Sequence, residues 1–205
     1  ELLEKIVFRH IRFQWPEVTT RAGIGEDCAV VDFGDYDCVL STDPITGAVK
    51  EIGKLAIHIS CNDIAAKGVE PIAILLACML PEGTKESEIE EIIKQAAEEA
   101  ERLNVEIIGG HTEITAAVNQ PVIVSTALGK ARKDSVQTAK NMKPGDDLLL
   151  TKSAGLEGTG ILATDHSKRL RPVLTEEEIR FAREMLQMLS VVPEGIIAGE
   201  IGTSV

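Results

Sequence analysis

Apolar residues recur along this chain in an ordered series of spacings. Leu2, Leu3, Ile6, Val7 and Ile11 sit at helical spacing, which predicts an amphipathic helix over 1–15 ended by Trp15-Pro16. Two short strands are expected at 28–33 and 37–42, with Gly34-Asp35 turning the chain between them. Ile52, Leu55, Ala56, Ile59, Ala65 and Ala66 supply the apolar side of a helix over 51–67, which Gly68 stops. The run 72–80 reads as a buried strand. Ser87 with Glu90 forms a capping box for the next helix, whose face is marked by Ile89, Ile92, Ile93, Ala96, Ala97, Ala100 and Leu103. Strands at 105–108 and 122–128 follow. Strand–helix–strand thus occurs twice in succession after an opening pair of strands, which predicts an α/β layer with helices on one face of a sheet.

A break comes at 130–145, where Lys130, Arg132, Lys133, Lys140 and Lys143 cluster before Pro144-Gly145-Asp146. A domain boundary is expected there, dividing 1–135 from 141–205. The second part predicts a strand at 147–152, a glycine-bearing loop, and helices near 157–165 and 175–190. With so few strands it reads as the beginning of a domain.

Composition narrows the function. The 205 residues carry a net charge of −12, and 44% are hydrophobic, enough for a sizeable core. The acidic balance argues against binding nucleic acid by overall charge, and 3% aromatic residues are too few for base-stacking platforms. No apolar run approaches the length of a membrane span, and no signal peptide is visible, so a cytoplasmic protein is expected. Cys28, Cys38, Cys61 and Cys78 form no C-x-x-C pair and sit in apolar contexts. They read as reduced thiols, with a disulfide or a zinc site as the alternative. Cys61 has no neighbour that would depress its pKa, which argues against a nucleophile. His10, His58 and His166 read as surface or packing residues.

The candidate chemistry gathers at strand ends and within one helix. Gly25-Glu26-Asp27 precedes the first strand, Ser41-Thr42-Asp43 ends the second, and Gly109-Gly110-His111-Thr112-Glu113 follows the strand at 105–108. In α/β sheets ligands collect at such ends. Asn62-Asp63 is different, because it interrupts an apolar helix. A carboxylate there either caps a neighbouring element or needs a partner such as a cation. Asp27, Asp43 and Asp63, with Glu26 and Glu113, are candidates for one hard-cation site. An oxygen-rich site favours Mg²⁺, and Mg²⁺ commonly completes its shell with phosphate oxygens, so a nucleotide is the natural partner. Gly47 to Lys54 resembles a P-loop, but the spacing is one residue too long and Leu55 stands where Ser or Thr is required. The loop 155–160, preceded by Thr151-Lys152, is either a flexible helix start or a phosphate or substrate contact.

Four segments, in order and spacing, resemble the superfamily of aminoimidazole ribonucleotide synthetase (PurM). They are Gly25-Glu26-Asp27-Cys28-Ala29-Val30, Ser41-Thr42-Asp43, Asn62-Asp63-Ile64-Ala65-Ala66-Lys67-Gly68-Val69-Glu70-Pro71 and Gly109-Gly110-His111-Thr112. Pro144-Gly145-Asp146-Asp147 with 148–152 looks like the start of the family's second domain. Relatives include thiamine-monophosphate kinase, selenophosphate synthetase and the hydrogenase-maturation protein HypE. The Ser41-to-Ala48 phrase and the short N-terminus look most like HypE-related proteins.

The resemblance implies a PurM-like N-terminal domain, a mixed sheet with helices on one face whose strands pair across a homodimer, and the beginning of an α/β C-terminal domain. Family members continue well past residue 205, so a fragment is expected. ATP and Mg²⁺ are the implied cofactors. Asp27, Asp43, Asp63 and Glu113 would hold metal. Gly25, Glu26, Asp27, Thr42, Asn62, Gly109, Gly110, Thr112 and Lys152 would contact nucleotide, and Asp43, Asp63 and His111 would be catalytic. The implied chemistry is phosphoryl transfer from ATP to an amide or carbamoyl oxygen, as in carbamoyl-to-cyano dehydration during hydrogenase maturation, and the implied partner protein is a carbamoyltransferase. The alternatives are a small-molecule kinase such as thiamine-monophosphate kinase, which takes a phosphate-accepting substrate, or a non-catalytic nucleotide-binding assembly module. His111 departs from the acid that most relatives carry there.

Overall fold

The computed structural model describes residues 2–202. Its centre is a six-stranded sheet built from β1 (Val18–Thr20), β2 (Ala29–Asp32), β3 (Tyr36–Ile45), β4 (Pro71–Leu80), β5 (Glu106–Ile114) and β6 (Val122–Arg132), in the spatial order β1-β2-β3-β6-β4-β5. Every neighbouring pair is antiparallel except β4 with β5. Two helices provide the crossovers. Helix α1 (Ile52–Ala66) joins β3 to β4 over the inserted β6, and α2 (Glu86–Arg102) joins β4 to its parallel neighbour β5. Parallel neighbours require such a crossover, which explains why the longest helices follow these strands.

Alternation decides which face the helices cover. On β3, Asp37, Val39, Ser41 and Ile45 are buried, as are Ile123, Ser125, Ala127 and Ala131 on β6. These positions lie under α1, and the intervening residues form the outer face. Ile52, Leu55, Ile57 and Ile64 of α1 are fully buried, and each aliphatic side chain so removed from water contributes about 1.5–3 kcal/mol. The outer face carries partly exposed Tyr36, Ile72 and Leu75, with the Lys130 ammonium 3.8 Å above the Tyr36 ring.

The later chain is helical among the described residues: α3 (Leu156–Asp165), α4 (Ser167–Leu170), α5 (Glu176–Glu184), a 3₁₀ turn at Met185–Met188 and α6 (Val192–Ile201). Helix α6 lies directly on the end of α1. A Cβ on Gly195 would stand 2.2 Å from the Ala65 carbonyl oxygen, and one on Gly199 would stand 2.6 Å from that of Gly68. The two glycines, one turn apart, let the backbones meet.

Several expectations need correction. The N-terminal segment is a π-turn at Leu3–Val7 and a 3₁₀ turn at Phe8–His10, without a helix through residue 15, because no described residue in it is buried against a partner surface. Helix α2 starts two residues earlier than Ser87-Glu90 suggests: Lys85 is the N-cap, and the Glu88 carboxylate accepts the Lys85 N–H at 2.8 Å. The segment 147–152 forms no strand. Leu148, Leu149 and Leu150 are 92%, 85% and 73% exposed, and a strand without a pairing neighbour leaves its backbone groups unmatched. The helix expected over 175–190 ends at Glu184 and continues as the 3₁₀ turn. Strand β1 and helix α6 were not expected.

Candidate functional site

The C-terminal half of β3 and the last turn of α1 bring together a polar group beneath an apolar helix. The Ser41 hydroxyl donates to the Asp63 carboxyl at 2.6 Å and lies 3.4 Å from that of Asp43. Ser125 on β6, opposite Asp43, exchanges a 2.7 Å hydroxyl contact with Ser60 of α1. The pleat explains the group: Ser41 and Asp43 are two apart on the covered face, and α1 lowers Asp63 onto them.

Burial pushes the Asp63 carboxyl up to about 7. The Ser41 hydroxyl opposes that rise, and the hydrogen bond and charge of Asp43 add to it, with Asp27 contributing further. Asp63 therefore holds a proton near neutral pH that a cation would displace. Burial, then the Asp63 charge, raises the thiols of Cys28 and Cys61 to about 12, so both are neutral. Cys28 donates to the Asp63 carbonyl oxygen at 3.3 Å, and all four cysteines are free thiols.

The raised carboxyl has a thermodynamic consequence. Its unfolded value is 3.8 and its folded value about 7, so the folded state holds the proton more tightly. The associated stability is complete below pH 3.8 and is lost as pH rises through about 7. In chelator-treated protein, Asp63→Asn is expected to raise the melting temperature by several degrees at pH 8 and by little at pH 4. Melting curves across that range check it, and an equal gain at both ends would contradict it.

The remaining predicted residues are dispersed. Asp27 is exposed and precedes β2, close enough to act on Asp63 by charge. His111 and Glu113 pair with Ala77 and Met79 on the outer face of the sheet, opposite to Asp63, and their side chains approach each other at 3.5 Å. Within one chain Glu113 therefore does not join the aspartates. Among the described residues no group of three or more His, Cys, Asp and Glu stands ready to hold one metal ion. Asp43 and Asp63 remain an oxygen pair that fits Mg²⁺ with its shell completed by phosphate and water.

Other predicted residues are already engaged. Glu26 is held between Lys67 at 3.1 Å and Lys140 at 3.2 Å; the Lys67 hydrogen bond is the chief reason its carboxyl lies below the usual range. The Asn62 amide spans two backbone groups, donating to the Leu189 carbonyl at 2.9 Å and accepting the Val191 N–H at 2.8 Å. Thr42 bonds across to the Ser125 carbonyl and to Thr126. Thr112 lies beside Cys78, whose thiol is raised by burial and lowered by that contact. Gly25 has φ +77° in the loop before β2. Gly109 and Gly110 have φ of +140° and +145°, and a Cβ on Gly110 would fall 1.8 Å from the Leu76 carbonyl oxygen. Lys152 pairs with Glu194 at 2.9 Å and donates to the Ser190 carbonyl.

Sequence reasoning missed a cavity of about 440 Å³ between the Asn62 turn of α1 and the later helical part of the chain. Asn62, Lys152, Glu157 and Met188 are among its lining residues. The pairing of Asn62 with residues 189 and 191, over 120 positions away, leaves no local signal. The Thr151-Lys152 pair before a glycine-bearing loop was the one available clue.

A mixed sheet with crossover helices on one face, and a carboxyl pair between a central strand and the first of those helices, defines a layered α/β class of protein. The chain matches the description "AIR synthase related protein, N-terminal domain" over residues 25–131, and it belongs to that family. A hydrogenase expression/formation protein of Methanocaldococcus jannaschii is 28% identical over 172 residues, covering 79% of this chain and 50% of that protein. The carbamoyl dehydratase HypE of Cupriavidus necator is 26% identical over 145 residues, covering 70% and 41%. A crystal structure of hydrogenase maturation protein HypE in complex with ATP superposes with a TM-score of 0.59 at 26% identity, covering 81% of this chain and 50% of that one. The chain spans about half the length of the curated relatives it matches. No helix among the described residues is long and apolar enough to cross a membrane.

Proposed function

We propose that this chain carries the Mg²⁺- and ATP-binding half of an enzyme of the HypE-like branch, activating an amide or carbamoyl oxygen by phosphoryl transfer. The observation that carries the reading is the Ser41–Asp43–Asp63 group, in which Asp63 keeps a proton that a cation would release. Asp43 and Asp63 would hold the ion, with Asp27 at the rim. Bound there, Mg²⁺ would neutralise phosphate charge.

In the proposed reaction the carbamoyl oxygen bonds to the γ-phosphorus as the bond from that phosphorus to the β–γ bridging oxygen breaks, and ADP leaves. Loss of both N–H protons with departure of the phosphorylated oxygen gives a cyano group and phosphate, so a carbamoyl group and ATP become a cyano group, ADP and phosphate. The chain's own part is to orient: Ser41 fixes the Asp63 carboxyl, and the burial that raises its pKa strengthens its response to charge.

The same reading covers the rest of the molecule. The division at 1–135 and 141–205 and a carbamoyltransferase partner belong to the proposal. A homodimer would cover the outer face and the β5 edge, where His111, Glu113, Ile108 and Ile114 are exposed. The test is Mg²⁺-dependent nucleotide binding and its loss in Asp43→Asn.

A further inference from the structure

The seam between α1 and β6 is built largely of aliphatic side chains. Ile57 and Ile64 of α1 are fully buried, as are Ile123 and Ala127 on the covered face of β6. Ser60 and Ser125 lie between these residues, both at 0% exposure. Their hydroxyl oxygens are 2.7 Å apart. One proton lies between them. The other goes to the Ser125 carbonyl oxygen, 3.2 Å from the Ser60 Oγ, or to the Asp43 carbonyl oxygen, 3.5 Å from the Ser125 Oγ. From the opposite face of the sheet, Thr42 donates to the same Ser125 carbonyl at 3.1 Å. The placement matters. Ser125 is the register partner of Asp43, and Ser60 stands one turn before Asp63 on α1. The three hydroxyls therefore join β3, β6 and α1 at the level of the two carboxyls.

Cohesion does not call for this pair. Replacing both partners of a buried hydrogen bond by apolar groups leaves stability nearly unchanged. Apolar contacts are also non-directional, so the aliphatic seam alone would let α1 settle at a slightly different height on the sheet. A short hydroxyl contact fixes that height. We propose that Ser60 and Ser125 are positioning residues that hold Asp43 and Asp63 at the spacing of a small cation, and so select Mg²⁺ over Ca²⁺. Mg²⁺ demands near-ideal octahedral geometry with oxygens at about 2.0–2.1 Å, whereas Ca²⁺ accepts looser shells at about 2.3–2.6 Å. A rigid carboxyl pair favours the first ion, and a pair free to spread favours the second. The proposal rests on the cation reading of Asp43 and Asp63 and deepens it by assigning what chooses the ion.

The test uses the full-length protein without nucleotide. Mn²⁺ is the probe, because the paramagnetic resonance signal of the free ion falls as it binds, and Mg²⁺ and Ca²⁺ are then titrated as competitors. Mn²⁺ binding that Asp43→Asn abolishes belongs to this site. Wild type should prefer Mg²⁺ to Ca²⁺. The double variant Ser60→Ala with Ser125→Ala should lower that preference about tenfold, the smaller end of the losses seen when groups that orient metal ligands are removed. Its melting temperature should stay close to that of wild type. Ser60→Ala alone leaves the Ser125 hydroxyl the Asp43 carbonyl oxygen at 3.5 Å and should shift the preference in the same direction. It supplies the measurement where the double variant does not fold. A purely structural pair would behave in the opposite way, with a lowered melting temperature and an unaltered preference. An unchanged Mg²⁺-to-Ca²⁺ ratio in the folded variants, no Mg²⁺ preference in wild type, or loss of folding in both variants would overturn this proposal alone. Mn²⁺ binding that survives Asp43→Asn in full would overturn it together with the cation reading.

Discussion

Glu99→Ala is expected to destabilise the protein by about 3–5 kcal/mol, the cost of leaving buried charge without its partner. Glu99 stands between α1 and α2, with Lys54 at 3.4 Å, His58 at 3.2 Å and Arg102 at 2.9 Å. The Glu99 and Lys54 side chains are only 10% and 6% exposed. Burial would raise the Glu99 carboxyl, but His58, Lys54 and Arg102 together hold it below the usual range. Burial lowers the His58 pKa from 6.5, and Glu99 opposes that lowering. A group with a depressed folded pKa contributes stability above its unfolded value and loses it as pH falls. Removing Glu99 should depress His58 further, so the penalty should grow between pH 7.5 and pH 5.5. Urea unfolding at both values checks this. Arg102→Ala, which removes a 62%-exposed partner, should cost within about 1 kcal/mol. An Glu99→Ala loss no larger than that of Arg102→Ala would refute the account of the cluster.

Gly110→Ala should cost about 3–5 kcal/mol and open the β4–β5 pairing, because strain and overlap act together. The residue sits at φ +145°, and the added Cβ would overlap the Leu76 carbonyl oxygen and crowd its neighbouring backbone atoms. β5 is an edge strand, held by hydrogen bonds on one side, so hydrogen exchange at 106–114 should rise before exchange in β3 and β6. Gly47→Ala is the control, since nothing lies within 4 Å of its Cβ and its φ is not positive. Unchanged exchange in β5 would mean that the backbone approach there is not a constraint.

The parts of the fold written in local periodicity were legible. Alternation through β3 and β6 and the apolar side of α1 follow from which faces are covered, and the sequence states that directly. Asp63 was legible as an anomaly, because a carboxylate in an apolar helix needs a reason. Its contact with Ser41, 22 residues earlier, was not, since pairing across the layer has no local signature. The same holds for His58, which reads as a packing residue until Glu99 of the next helix meets it. Helix α6 was not expected; Gly195 and Gly199 are poor helix formers, though Pro193 in its first turn and Gly202 at its end were usable signals. The strand expected at 147–152 shows the converse. Its pattern suits a strand, but a strand exists only with a neighbour to pair with.

The proposed Mg²⁺-nucleotide site lies at Asp43 and Asp63. Its most direct test is thermal stabilisation of the full-length protein by a non-hydrolysable ATP analogue, with and without Mg²⁺, in wild type and Asp43→Asn. A ligand that binds only the native state raises stability by about 2.7 kcal/mol at 100 times its Kd. A rise of several degrees that requires Mg²⁺ and disappears in Asp43→Asn is expected. No Mg²⁺-dependent rise in the full-length wild type, or an undiminished rise in the variant, would contradict it.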